Sequence, residues 1–178
     1  LEFSLLNKSI RMNSFETLFV NIEGAVAQVI LNRPSAKNAM NNQMLLDLIA
    51  CFEGLKTNPS VSIVVLSGAN GTFCAGGDLK EMSQLAQGAA DNFSAVLDRM
   101  LRAINEAPQV VIAKIEGAAM GGGFGIACVA DIAVASTEAK MGLPEVRLGI
   151  IPAIISPYVI ERIGITRARE LMLTGRRF

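Results

Sequence analysis

Two glycine-rich segments and one isolated carboxylate are the residues of this chain whose types and spacing could do chemistry. The first segment, Gly71-Thr72-Phe73-Cys74-Ala75-Gly76-Gly77-Asp78, follows an apolar, β-branched run. A turn there would present unpaired backbone N–H groups at the carboxyl edge of a sheet, a suitable place for an anionic oxygen. The second, Gly121-Gly122-Gly123-Phe124-Gly125, opens a short apolar helical run over residues 124–130. A helix N-terminus offers free N–H groups and a dipole that favours negative charge, and glycine lets a ligand come close to the backbone. The carboxylate is Glu145, set in Met141-Gly142-Leu143-Pro144-Glu145-Val146-Arg147-Leu148-Gly149. Apolar surroundings would raise its pKa and suit it to proton exchange near neutrality.

Each feature also fits a purely structural part. Asp78 with Glu81 matches a capping box for a helix beginning at Leu79. Small residues around Gly123 suit close packing of a helix on a sheet, and Glu145 suits a surface position or an ion pair with Arg147. Nucleotide loops fit neither segment. Gly71 and Gly76 have P-loop spacing, but Gly77-Asp78 stands where Lys-Ser/Thr is required. Ile126 or Cys128 falls where the last glycine of GxGxxG belongs. Cys74 lacks an activating base nearby in sequence and reads as packing.

Composition narrows the chemistry further. The 178 residues contain no histidine, which removes Ser-His-Asp and Cys-His nucleophile systems and histidine-ligated zinc. Lys+Arg and Asp+Glu are equal at 16, so no global field favours nucleic acid or anionic lipid. Cys51, Cys74 and Cys128 are odd in number and without a CxxC pair, which fits a reducing, cytoplasmic compartment rather than a disulfide framework or a metal knuckle. The apolar stretch 117–130 is bounded by Lys114, Glu116 and Asp131 and is shorter than the ~20 residues a membrane helix needs. Residues 1–11 read as an upstream or vector-derived segment ahead of Met12, leaving a single domain over 12–178.

These groups need elements to hold them. Residues 18–22 and 25–31 read as a hairpin about Glu23-Gly24, followed by the Asn32-Arg33-Pro34 break. Leu45, Leu48, Ile49, Phe52 and Leu55 recur at helical spacing up to Asn58-Pro59. Residues 61–66 and 110–115 read as buried strands, with the helical pattern Phe93, Val96, Leu97, Met100, Leu101, Ile104 between them. A further strand at 132–135 precedes a helical stretch from Ile154, interrupted by Pro157 and Gly164. Strand, helix, strand predicts a parallel α/β layout.

Asn32-Arg33-Pro34 with Lys37-Asn38-Ala39-Met40, then Phe73-Cys74-Ala75-Gly76-Gly77-Asp78-Leu79, then residues 117–125 with Asp131, then Leu143-Pro144-Glu145, together resemble the crotonase (enoyl-CoA hydratase/isomerase) family. The resemblance implies an α/β, crotonase-like (ClpP/crotonase) fold of repeated ββα units and a homotrimer or hexamer. It implies an acyl-CoA thioester substrate, with coenzyme A entering as part of that substrate and no separate cofactor or metal. By motif position, the backbone N–H groups of Ala75 and Gly122 would bind the thioester oxygen, and Glu145 would be the acid/base. Ala75, Gly76, Gly77 and Asp78 would lie along the pantetheine arm, Leu79 would also bind the substrate, and Lys37 and Ala39 would lie near the nucleotide.

Two departures bear on activity. Gly125 stands where hydratases of the family commonly carry a second glutamate. The run from Glu145 to Val159 nevertheless looks like the methylglutaconyl-CoA hydratase branch, where glycine can also replace it. Hydration of an α,β-unsaturated acyl-CoA is the leading expectation; Δ3,Δ2-isomerisation by one glutamate and a catalytically silent acyl-CoA-binding or assembly module are the alternatives. The second departure is at Thr174-Gly175-Arg176-Arg177-Phe178, where the resemblance implies that further C-terminal helices are missing and the core domain is incomplete.

Overall fold

A computed structural model describes residues 10–11, 15–84 and 87–178. The predicted hairpin is present because every second residue finds the core. Strand β2 (Leu18–Glu23) buries Leu18, Val20 and Ile22, and β3 (Val26–Leu31) buries Ala27, Val29 and Leu31. Glu23 pairs with Val26, so Gly24-Ala25 forms the turn, and Gly24 takes the left-handed conformation that turn needs. Ile10–Arg11 (β1) pair with the outer edge of β2 through Ile10↔Ile22. The rest of the segment 1–11, and Met12, lie outside the described residues.

Helix α1 (Asn42–Lys56) starts where the Asn41 side chain accepts a hydrogen bond from the Met44 N–H, and it buries the expected face of Leu45, Leu48, Ile49, Phe52 and Leu55. It delivers the chain to β4 (Ile63–Gly68), parallel to β3 and shifted two residues past the run read from the sequence. After α2 (Leu79–Gln84) and α3 (Gln87–Asn105) come β5 (Val110–Ile115), β6 (Ala118–Met120), α4 (Gly122–Val129), β7 (Ile132–Ala135), β8 (Lys140–Gly142) and α5 (Ser156–Thr174). The main sheet has the order β1-β2-β3-β4-β5-β7 and is parallel from β3 to β7. All four residues of β7, at its far edge, are exposed.

The short strands build a second layer that sequence patterning did not reveal. β6 pairs with β8 in parallel, Cys74 bridges to Ala119, and Gly77 bridges to Met40. The chain therefore winds as repeated ββα units: a strand in the main sheet, a short extended piece in the second layer, then a helix. Both glycine-rich segments fall in or beside that second layer. In α5, Pro157 does not interrupt the helix because it sits in the first turn, where no intrahelical N–H is needed. Gly164, at φ 76 and ψ 155, does interrupt it.

Candidate active site

The first glycine-rich loop is clamped by the segment after β3. Lys37 and Asn38 both adopt left-handed backbone conformations, which asparagine tolerates better than most residues. The Asn38 side chain is fully buried and fully used: its amide donates to the carbonyls of Ala69 (3.0 Å) and Thr72 (2.6 Å), and its oxygen accepts from the Arg33 N–H at 3.0 Å. The Arg33 guanidinium donates to the Ala39 carbonyl and pairs with Asp78 at 3.0 Å. Backbone bonds run across the same seam, from the Met40 N–H to the Gly76 carbonyl and from the Asp78 N–H to the Met40 carbonyl, both 2.8 Å. The Ala75 N–H points into this seam and donates to the Lys37 carbonyl at 3.1 Å.

Asp78 also performs the capping role, since one of its oxygens accepts from the N–H groups of Lys80 and Glu81 at the start of α2. Burial alone would push its carboxyl up; the Arg33 hydrogen bond and charge, with those two N–H groups, outweigh it and hold the pKa below the ordinary carboxylate range.

The second glycine-rich segment comes directly against the first. A Cβ on Gly123 would sit 2.5 Å from the Cys74 carbonyl oxygen and 2.7 Å from the Cys74 Cβ, so only glycine permits this approach. Gly121, the residue before α4, holds φ 51 and ψ −120, a conformation that side chains exclude. The first helical bond closes from the Gly125 N–H to the Gly121 carbonyl, which leaves the N–H of Gly122 among the unpaired donors that head any helix.

Glu145 reaches this helix terminus from a 3-10 turn, Pro144–Leu148, that ends at the left-handed Gly149. A Cβ on Gly121 would lie 2.8 Å from its Oε1, so the carboxylate rests on that glycine. Its Oε2 is buried without a hydrogen-bond partner. Burial raises its pKa, and its own backbone N–H offsets only part of that. The alternative pair with Arg147 is not among the described ion pairs; the Arg147 side chain lies against Gly175 instead. A carboxylate with one buried, unpartnered oxygen, held above its ordinary pKa in a cleft, is equipped to take and return a proton.

These groups face one cavity of about 560 Å³. It brings together Ala39, Ala75, Gly76, Gly77, Asp78, Leu79, Gly122 and Glu145, eight of the nine residues singled out in the sequence. Lys37 is the exception: its side chain is exposed, its neighbours Ala36 and Ala39 line the cavity, and only its carbonyl enters the site. Sequence reasoning missed the opposite wall, built from Met82, Phe93 and Leu97 and from the apolar run 148–155 that includes Leu148, Ile150, Ile151, Ile154 and Ile155. Lys80 also lines it. Cys74 is buried with its thiol pushed up to about 12, mainly by desolvation, which agrees with a packing role.

No described helix is long and apolar enough to cross a membrane, and no described group of three or more acidic or cysteine side chains could hold a metal ion.

The family model described as enoyl-CoA hydratase/isomerase matches residues 21–178. A probable enoyl-CoA hydratase from Rhizobium meliloti is 37% identical over 92% of this chain and 63% of its own length. A putative enoyl-CoA hydratase from Thermus thermophilus is 34% identical over 86% of the chain and 62% of its own length. Among solved structures, Pseudomonas aeruginosa AtuE superposes with a TM-score of 0.90 at 44% identity, covering 92% of this chain and 64% of that one. The chain thus spans less than two thirds of the length of these relatives.

Proposed function

The chain belongs to the enoyl-CoA hydratase/isomerase family and has its crotonase-like α/β fold, and on that premise we propose that it adds water across the double bond of an α,β-unsaturated acyl-CoA thioester. The observation that carries the proposal is Glu145, a carboxylate with an unpartnered buried oxygen, resting on the glycine that precedes α4. Hydration places negative charge on the thioester oxygen as water bonds to C3. The Gly122 N–H supplies one donor to that oxygen. The Ala75 N–H, expected from motif position to be the second donor, is held by the Lys37 carbonyl at 3.1 Å and is not free for that role. Loss of one such donor costs about 3 kcal/mol of transition-state stabilisation. Coenzyme A is part of the substrate, and the proposed chemistry uses no metal or redox group.

The apolar wall of Phe93, Leu97, Ile150, Ile151 and Ile154 favours a hydrocarbon acyl chain. Methylglutaconyl-CoA carries a terminal carboxylate, and Lys80, the one cation among the described lining residues, is the group that could receive it. Δ3,Δ2-Isomerisation is the second reading, favoured by Glu145 as the one carboxylate among the described lining residues that is not committed to a cation. A homotrimer or hexamer is part of the proposal and is tested by mass determination in solution.

The deciding experiment incubates the protein with crotonyl-CoA, methylglutaconyl-CoA and a 3-enoyl-CoA and identifies products by mass and chromatography, with Glu145→Gln alongside. Hydration yields a 3-hydroxyacyl thioester; isomerisation yields a shifted double bond of unchanged mass. Binding without turnover, indifferent to Glu145→Gln, would establish the silent acyl-CoA-binding module instead.

A further inference from the structure

The titratable side chains among the described cavity residues are Asp78, Lys80 and Glu145. Asp78 is committed to Arg33 and to the start of α2, and the Lys80 side chain is exposed. Position 125 in α4 leaves no place for another such group. Gly125 is buried, and a Cβ built on it would lie 2.6 Å from Cγ2 and 3.1 Å from Cβ of Ile155. Ile155 is 2% exposed and lines the cavity. Its colliding atoms are at the β-branch, next to the backbone, so it cannot swing aside as the terminal methyl of Met40 can from Gly122.

We infer that Ile155 keeps a second titratable side chain out of the site: seated on Gly125, it closes this part of the cavity wall with hydrocarbon and leaves Glu145 as the single proton carrier of the site. The inference rests on the thioester chemistry proposed above. In hydration, ionised Glu145 takes one proton from water while the water oxygen bonds to C3 and the C2=C3 electron pair moves to the thioester oxygen. The Glu145 carboxylic acid then returns that proton to C2, the pair returns from oxygen, and the thioester carbonyl and the carboxylate are restored. One water has been added, with both of its parts delivered from the face that Glu145 occupies. In the isomerisation reading the same carboxylate removes a proton from C2 of a 3-enoyl thioester and returns it at C4.

A single carrier has a kinetic signature. Hydration requires only ionised Glu145, so log kcat/KM rises with pH to a plateau. A second group that had to be protonated would add a falling limb and make a bell. The test combines this profile for the unmodified protein with a double-mutant cycle on thermal melting. Gly125→Ala lowers the melting midpoint by roughly 5 °C, and most of that penalty disappears in the I155L background, where the colliding Cγ2 is gone and the volume is kept. A bell-shaped profile overturns the single-carrier assignment. Additive melting effects overturn the pairing of Gly125 with Ile155. If no enoyl thioester turns over, the proposed function falls and the proton-carrier role falls with it, while the melting cycle still decides whether Ile155 excludes side chains at position 125.

Discussion

Glu145 lies against the α-carbon of Gly121, so near that a methyl group on that carbon would stand 2.8 Å from the carboxylate oxygen. The residue expected to move the proton and the residue that precedes the helix proposed to bind the oxyanion therefore position one another. Gly121→Ala pushes the carboxylate away and forces a side chain into φ 51, ψ −120. A displacement of this size costs about 100-fold in kcat when the geometry is set for one reacting atom. Steady-state kinetics of a Gly121→Ala protein that still melts cooperatively checks this; an unimpaired kcat would mean that Glu145 works from another position.

Replacing Glu145 with glutamine removes the acid/base while keeping shape, and kcat falls by roughly 100- to 10,000-fold. Its effect on stability has the opposite sign. Burial raises the pKa of Glu145 in the folded protein above its unfolded value, so the folded state holds the proton more tightly. That contribution is fully present in acid and is lost as pH rises through the folded pKa. Glu145→Gln should melt above the unmodified protein in mildly alkaline buffer and lose that advantage in acid. A constant difference across the pH series would show that Glu145 is not an uncompensated buried charge.

Asn38→Ala removes three hydrogen bonds at once and leaves the carbonyls of Ala69 and Thr72 and the N–H of Arg33 without those partners. It also places alanine at φ 54. Together these destabilise the protein by about 3 kcal/mol, measurable by urea unfolding. Because Asn38 fixes the strand of backbone whose Lys37 carbonyl meets the Ala75 N–H, the variant should also lose kcat. Full stability with normal turnover would remove the clamp from the account.

Asp78 tests the other end of the clamp. Asp78→Ala deletes the Arg33 pair and the cap of α2, with an expected loss of about 1–2 kcal/mol. The Asp78 pKa is lowered in the folded state, so its contribution is present above the unfolded pKa and is lost as pH falls through the folded one. The melting difference between the unmodified protein and Asp78→Ala should shrink in strong acid. A difference that grows in acid would contradict the pairing with Arg33.

Much of this arrangement was legible in the chain because its signals are local. The β-prone runs of β2 and β3, the apolar face of α1 and the Asp78 half of the capping box depend on neighbours within a few residues and appear where they were read, whereas Glu81 accepts from the Asn42 N–H instead of closing the box. The edges shifted where long-range pairing decided them, as in β4, which runs on to Gly68 to match Leu31 of β3. β6 and β8 were not legible at all. Each is three residues long, too short for a periodicity, and exists because the chain returns to pair them.

By itself, the sequence determined the chemical inventory: no histidine, one carboxylate in an apolar stretch, and two places where backbone N–H groups could be exposed. Glycine at 123 was compatible with ordinary packing or with a close approach, and only its contact with Cys74 shows that it joins the two glycine-rich segments. Glu145 was compatible with an ion pair to Arg147, and only the packing of its turn against Gly121 shows an unpartnered oxygen facing a cavity. The apolar run 148–155 was indistinguishable from core, because an apolar side chain has the same pattern whether it fills a protein interior or lines a site. Contacts between residues far apart in the chain make that distinction, and they exist only once the ββα units have wound together.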